Sequence, residues 1–302
     1  MKKYIILDLL VLVLLFLFSA TVFALPDALT DGAGVAYKRA MINLGTSGCC
    51  MFVIPNEVLG GRIIDGVFGQ AESCIIPGLV GFEVGLSAFG DAYAWLRRTL
   101  AYPTVEILAK SNKIDPQTRQ TLVDEVLDNI LIKLGEDAAK ITPRLDAPFA
   151  TDWFNGRRSP DDDPLATGSL LNLTLATSAP EIFKALVEAT AFGSRAINER
   201  LSDEGLRIDT ILAVGGISKK SRFVMQTMAD VIGLPIRVVS STQACALGSA
   251  MNASVAAGVH PSVEAAQEAM SSGFDGEYTP NDERHAIYNK LYTRYRRAAY
   301  GE

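Results

Sequence analysis

The sequence predicts an α/β fold, a mixed sheet flanked by helices, on three observations. Two short β-rich runs, Ala40–Leu44 and Cys49–Ile54, are joined by the small, hydroxyl-bearing loop Gly45-Thr46-Ser47-Gly48, which reads as a tight hairpin. In the second half, apolar strand-like runs alternate with stretches of helical period. The composition is ordinarily globular, with 302 residues of which 49% are apolar and 21% charged, so a sizeable core is affordable.

Taken in order, residues 1–24 stand apart. Met1-Lys2-Lys3 gives a positive end, Leu9–Phe18 is apolar, and Val22-Phe23-Ala24 offers small residues where a signal peptidase cuts. The segment reads as a secretory signal. As a membrane anchor it falls short of the roughly 20 apolar residues a span requires, since Asp8 interrupts it; a buried strand is a third reading. Residues 25–31 form a junction, and one domain is expected over 32–300. Past the hairpin a mostly helical region is expected from about Glu83 to Ile141, broken near Tyr102-Pro103 and at Pro116. A loop rich in Asp, Pro and Arg follows from Pro143 to Pro164, and its Trp153 and Phe154 point to docking on the core. Ser178-Ala179-Pro180-Glu181 reads as a capping box. The helix it opens places Ile182, Ala185, Leu186, Ala189, Gly193 and Ala196 on one face. A buried strand Ile211–Val214, a helix Ser221–Ile232, a strand Ile236–Val239 and a helix Thr242–Ala257 complete the alternation.

A formal net charge of −6 argues against a nucleic-acid partner, which needs clustered Lys and Arg. The cysteines Cys49, Cys50, Cys74 and Cys245 show no Cys-x-x-Cys spacing, and the two histidines, His260 and His285, lie far from them. No metal-ligand cluster is expected. The thiols read as buried and reduced.

Four segments have the composition of ligand contacts, each with a plain structural alternative. Gly45-Thr46-Ser47 would let backbone amides converge on phosphate oxygens, or is a small turn with no ligand. Gly215-Gly216-Ile217-Ser218, between a strand and the helix carrying Gln226, would let a nucleotide approach the backbone. It matches neither the Gly-x-x-x-x-Gly-Lys order nor Gly-x-Gly-x-x-Gly, and an unliganded strand-to-helix turn is the alternative. Ser241–Ala250 is a small-residue helix suited to packing behind a cleft, or simply a buried helix. Glu83 stands among glycines and apolar side chains, where a carboxylate can accept hydrogen bonds from sugar hydroxyls. Its alternative is a solvated carboxylate near a helix N-terminus.

Taken together, these strings resemble the C-terminal domain of FGGY carbohydrate kinases, of the actin/hexokinase-like superfamily. The resemblance runs from about Gly32 to Arg297 and rests on Gly45-Thr46-Ser47, on Pro77-Gly78 through Gly90-Asp91, on Asp152-Trp153-Phe154-Asn155-Gly156-Arg157-Arg158, on Ala191-Phe192-Gly193, on Gly215-Gly216-Ile217 with Met225-Gln226, and on Gln243–Gly248. The 152–156 and 243–245 strings resemble the ribulokinase branch more than xylulose or glycerol kinases. The resemblance implies an RNase H-like domain, ATP with Mg²⁺ in a cleft, and L-ribulose or a related ketopentose as acceptor. It also implies an Asp that deprotonates the attacking hydroxyl. Carried over by position, Gly45, Thr46 and Ser47 meet the β- and γ-phosphates. Gly215, Gly216, Ser218 and Gln226 line the nucleotide pocket, and Glu83 meets the sugar. The family's catalytic Asp falls on Leu25, leaving Asp27 and Asp31 as the nearest candidates, out of register.

The resemblance further implies that the N-terminal kinase half lies outside this sequence, so the chain is expected as a C-terminal half. Three functions follow: a sugar kinase of the cytoplasm; an inactive remnant that binds nucleotide or complements a separate N-terminal half; or an exported or tethered protein, as residues 1–24 read literally. A homo-oligomer is also compatible with the sequence.

Overall fold

The computed structural model describes residues 39–67, 69–76 and 78–301. The signal-like segment, the junction with Asp27 and Asp31, the string Gly32–Val35, and Pro77 lie outside the described residues.

Strand β1 (Arg39–Leu44) and strand β2 (Gly48–Pro55) form the expected antiparallel hairpin, with Met41 opposite Met51 and Leu44 opposite Gly48. A short helix α1 (Asn56–Leu59), strand β3 (Gly69–Glu72) and strand β4 (Leu79–Leu86) follow. Helix α2 (Gly90–Leu100), a π-helical turn Thr104–Leu108 and helix α3 (Pro116–Ala138) come next. The 143–178 loop contains only the two-residue strands β5 (Phe149–Ala150) and β6 (Leu170–Leu171). The second half reads α4 (Ala179–Asp203), β7 (Thr210–Val214), α5 (Gly216–Lys220), α6 (Arg222–Ile232) and β8 (Ile236–Val239). It closes with α7 (Ala244–Ala256), α8 (Val263–Met270), β9 (Phe274–Tyr278) and α9 (Asp282–Tyr300).

The larger sheet has the order β3-β4-β2-β1-β7-β8-β9. Its centre is parallel, β1 with β7 and β7 with β8, and its flanks are antiparallel. Both faces are covered, because successive side chains of a strand point to opposite faces. Ala40, Ile42, Leu44, Phe52, Ile54, Phe82, Val84, Ile211 and Ala213 join one core with α4, α6 and α9. Met41, Cys49, Met51, Val53, Leu212 and Val214 join a second core under α7 and α8.

Helix α4 is the central helix of the first face and packs on α2, α3, α6 and α9 as well as on β4. That is why burial spreads around it from Phe183 to Ala196 beyond the single stripe its sequence shows. Its start follows the expected box, with the Glu181 carboxylate accepting from the Ser178 amide at 2.9 Å. A buried ion pair, Lys184 to Glu188 at 2.8 Å, is tied to α9 by a Lys184 bond to the Tyr288 hydroxyl at 3.1 Å. Phe192 adds ring contacts to Tyr288, Tyr292 and Tyr295.

Two expectations change. The region after Glu83 does not begin as helix: Val80, Phe82, Val84 and Leu86 alternate into the first core as β4, so period two overrides the helical reading and α2 starts only at Gly90. The thiols are not uniformly buried, since Cys245 is exposed on α7 while Cys49 is buried; all four are free. The docking of the 143–164 loop holds. Phe154 packs on Trp95 at 5.0 Å, and Arg157 lies over the rings of both Trp153 and Tyr300. No helix among the described residues is long and apolar enough to cross a membrane.

Candidate functional site

The parallel pairing of β1 with β7 brings two glycine turns side by side. Gly45-Thr46-Ser47 follows the carboxyl end of β1 and Gly215-Gly216 follows that of β7, with Asn43 opposite Val214 in register. Neither turn is near the other in sequence; the sheet joins them.

Each turn is shaped by close backbone approach. A Cβ on Gly215 would stand 2.6 Å from the Leu44 carbonyl oxygen and 2.7 Å from Asn43 Oδ1, and its φ of +96° is one that side-chain-bearing residues rarely adopt. With ψ at 170° it lies in a region that is essentially glycine's own. The first loop is braced from α2. The amides of Phe89 and Asp91 donate to the Thr46 carbonyl at 2.8 and 3.1 Å, and the Gly90 amide donates to the Gly45 carbonyl at 3.0 Å. Gly90 permits this, because a Cβ there would lie 2.4 Å from that same oxygen. The brace uses the loop's carbonyls. The amides of Thr46 and Ser47 donate to no group among the described residues, Thr46 is exposed, and a Cβ on Gly216 would meet nothing within 4 Å. The paired turns therefore present amide donors beside open space, an arrangement suited to phosphate oxygens.

The other expected contacts are placed differently. Ser218 is 3% exposed and its hydroxyl donates to the Gly215 carbonyl at 2.8 Å, so it holds the turn from beneath. Gln226 is half-buried on α6, and its amide group donates to Asp230 at 2.8 Å and to the Thr279 carbonyl at 2.9 Å. Asp230 in turn accepts from the Asn281 amide at 2.8 Å and pairs with Arg284 at 2.5 Å. Glu83 lies mid-strand in β4 and is 3% exposed, not a solvated carboxylate at a helix start. Its Oε1 accepts from Arg158 at 2.9 Å and from the Cys49 thiol at 3.3 Å. Burial and the adjoining Glu83 push Cys49 far above the usual thiol range, and burial pushes Cys50 up to about 12, so neither is a nucleophile. Among the described residues no three His, Cys, Asp or Glu side chains gather as metal ligands.

Three participants escape a reading by composition. Asn43 and Gly90 shape the two turns from neighbouring elements, and Arg158 reaches Glu83 across 75 residues. Gly90 and Arg158 lie within strings that carry the resemblance, though their roles here do not show in composition. Asn43 becomes visible through the β1–β7 pairing, and the Arg158 contact through the docking of its loop.

The sequence profile of the FGGY family of carbohydrate kinases, C-terminal domain, matches residues 40–257. The chain is 38% identical over 265 residues to a ribulokinase of Vibrio parahaemolyticus, covering 88% of this chain and 46% of that one. It is 36% identical to a ribulokinase of Halalkalibacterium halodurans, covering 85% and 43%. Thus the chain spans less than half the length of these curated relatives. Among solved structures it resembles the xylulose kinase of Rhodospirillum rubrum, with a TM-score of 0.71 at 20% identity over 94% of this chain and 49% of that one. It also resembles a glycerol kinase of Plasmodium falciparum solved with ADP, with a TM-score of 0.63 at 17% identity over 91% and 49%. At those identities the likeness is one of fold.

Proposed function

The chain belongs to the FGGY family of carbohydrate kinases as its C-terminal domain, and from that membership we propose that it forms the nucleotide-binding wall of a cytoplasmic kinase that moves the γ-phosphate of ATP to L-ribulose or a related ketopentose. The observation that carries the proposal is the pair of glycine turns at the ends of β1 and β7, with the Thr46 and Ser47 amides unspent and open space over Gly216.

In this role the Gly45-Thr46-Ser47 loop holds the β- and γ-phosphates, Thr46 and Ser47 through main-chain donors that need no reorganisation as charge shifts during transfer, and Gly45 by shaping the loop, its own amide being bonded to the Ser47 carbonyl at 3.1 Å. Gly215 and Gly216 let the nucleotide lie against the backbone. Ser218 and Gln226 act from behind, Ser218 by fixing the Gly215 carbonyl and Gln226 by fixing α6 to the strand-β9 connection. Mg²⁺ enters with the nucleotide, and its charge offsets that of the phosphates. Glu83 is proposed as a sugar contact, held in position by Arg158 and Cys49. L-ribulose as acceptor is supported by the names of the relatives at 38% and 36% identity.

A second reading is nucleotide binding without turnover by this chain alone, or complementation of a separate N-terminal kinase half. It rests on the chain spanning 46% of its Vibrio parahaemolyticus relative, because proximity and base catalysis require every wall of a cleft. Two measurements separate the readings. Isothermal titration with ATP–Mg²⁺ is expected to show one site, weakened at least tenfold by Gly216→Val, whose side chain fills only the space left for ligand. A coupled assay with L-ribulose then reports phosphoryl transfer. Phosphorylation by the pure chain excludes the binding-only reading, and absence of heat at millimolar ATP excludes both.

A further inference from the structure

The sheet edge that carries the Gly215-Gly216 turn also holds a cation that the proposed role of the turn leaves unused. Strands β7 and β8 run parallel, with Ala213 opposite Val238, so the turn after β7 and Ser240 after β8 leave the sheet side by side. Helix α5 places Lys219 one turn beyond Gly216, and residues at that spacing share a face, with Cβ positions roughly 5–6 Å apart. Gly216 turns this face toward open space, since a Cβ there meets nothing within 4 Å. Lys219 therefore stands at the rim of the proposed nucleotide site, with its side chain 22% exposed.

Its ammonium is drawn to Asp275 on β9. The β8–β9 ladder brings that carboxylate into reach. Val238 pairs with Gly276 and Val239 with Phe274, so Asp275 is an extra residue with no partner on β8, and a bulge of this kind re-aims a side chain. The segment beyond β8 fixes the bulge: the Ser240 amide donates to the Gly273 carbonyl at 3.0 Å, and the Ser241 amide to Ser272 Oγ at 3.0 Å. Hydrogen bonds from Lys219 and then from Ser240 hold the Asp275 carboxyl below the usual carboxylate range. Asp275 is 53% exposed, and an ion pair this open to water is weak. A phosphate chain carries more charge than one carboxylate and offers stronger acceptors. The flexible four-carbon stem of a lysine lets its ammonium exchange one anion for the other by side-chain rotation alone.

We propose that Lys219 is a reserve cation for the nucleotide, held at the rim by Asp275 in the free chain and turned to the phosphate chain when ATP enters. Lys219 is then a determinant of affinity for charged nucleotides, and Asp275 is the residue that positions it. This assignment rests on the glycine turns being the nucleotide site. Throughout the exchange the ammonium keeps an anionic partner, so no desolvated charge is left unpaired.

Isothermal titration of the full chain with ATP–Mg²⁺, alongside thermal melts of each variant, tests the assignment. Lys219→Met is expected to weaken binding about threefold at low salt with an unchanged melting curve, because the lost pair is an exposed one. Lys219→Arg should keep the parental affinity. Asp275→Asn should tighten binding about twofold, and by less in the Lys219→Met background. Salt screens exposed charges, so the Lys219→Met deficit should shrink between about 0.05 and 0.5 M NaCl, which a purely structural defect would not do. Parental affinity in Lys219→Met, a deficit that salt leaves unchanged, Lys219→Arg as weak as Lys219→Met, or an equal gain from Asp275→Asn with and without Lys219 each overturns the proposal and leaves the nucleotide reading standing. Absence of ATP heat from the parent overturns that reading and this assignment with it.

Discussion

The glycine turns that end β1 and β7 and the carboxylate in the middle of β4 belong to one sheet, yet they treat their polar groups in opposite ways. At the turns, the loop's carbonyls are bonded to the start of α2 while the Thr46 and Ser47 amides remain unspent. At Glu83 the carboxylate is already met by Arg158 and Cys49 from within the chain. A buried charge needs a partner because its desolvation is costly, whereas exposed amides on a loop are satisfied by water until a ligand arrives. The turns are therefore open to an anion as they stand, and a sugar reaching Glu83 must share it with Arg158.

The largest effect is expected at the turns. Gly215→Val places a Cβ within 3 Å of two oxygens in a backbone conformation reserved for glycine, at a cost of roughly 3 kcal/mol or more. Urea denaturation should show that loss together with loss of ATP binding; a variant of parental stability would mean that β1 and β7 do not hold the turns this closely.

Next comes the loop that delivers Arg158. Burial pushes the Asp152 carboxyl up to about 6, opposed by the hydrogen bond from Tyr295 at 2.5 Å. Its folded value lies above the usual carboxylate range, so its contribution is complete below about pH 4 and is lost as pH rises through 6. The difference amounts to about 3 kcal/mol. Asp152→Asn should match the parent near pH 4 and exceed it in stability at pH 7.5. Denaturation curves that run parallel across pH would contradict this.

Arg158→Met leaves Glu83 buried without its cation. A loss of about 2 kcal/mol is expected, less than for a fully buried pair because the Arg158 side chain is 28% exposed. Nucleotide affinity should not change, which separates this region from the turns. The smallest effect on stability is expected for Gly216→Val, within about 0.5 kcal/mol, since nothing lies within 4 Å of the added Cβ. Thermal melts of that variant alongside its ATP titration isolate the ligand's space from the fold's.

Legibility in the sequence followed the range of the interactions. The β1–β2 hairpin, the Ser178–Glu181 start of α4 and the β7–α6–β8–α7 succession were readable because turn residues, capping and periodicity act over a few positions. Strand β4 was misread beyond Glu83 because Gly81 and Gly85 break up its apolar run. The alternation of Val80, Phe82, Val84 and Leu86 was the signal available. Ser218 and Gln226 come to the nucleotide pocket by position from the resemblance, and no local string shows that their polar atoms are bonded to Gly215, Asp230 and Thr279.

The sequence by itself determined the α/β class, the family and the two glycine turns, since each is written in local strings. Tertiary structure decided that the turns adjoin, through the β1–β7 pairing of residues 39–43 with 210–214. It also decided that Glu83 is buried against Arg158, and that a bulge opposite the end of β8 brings Asp275 to Lys219. Those three outcomes depend on contacts between residues far apart in the chain, whose partners are fixed only when the sheet closes and water is excluded.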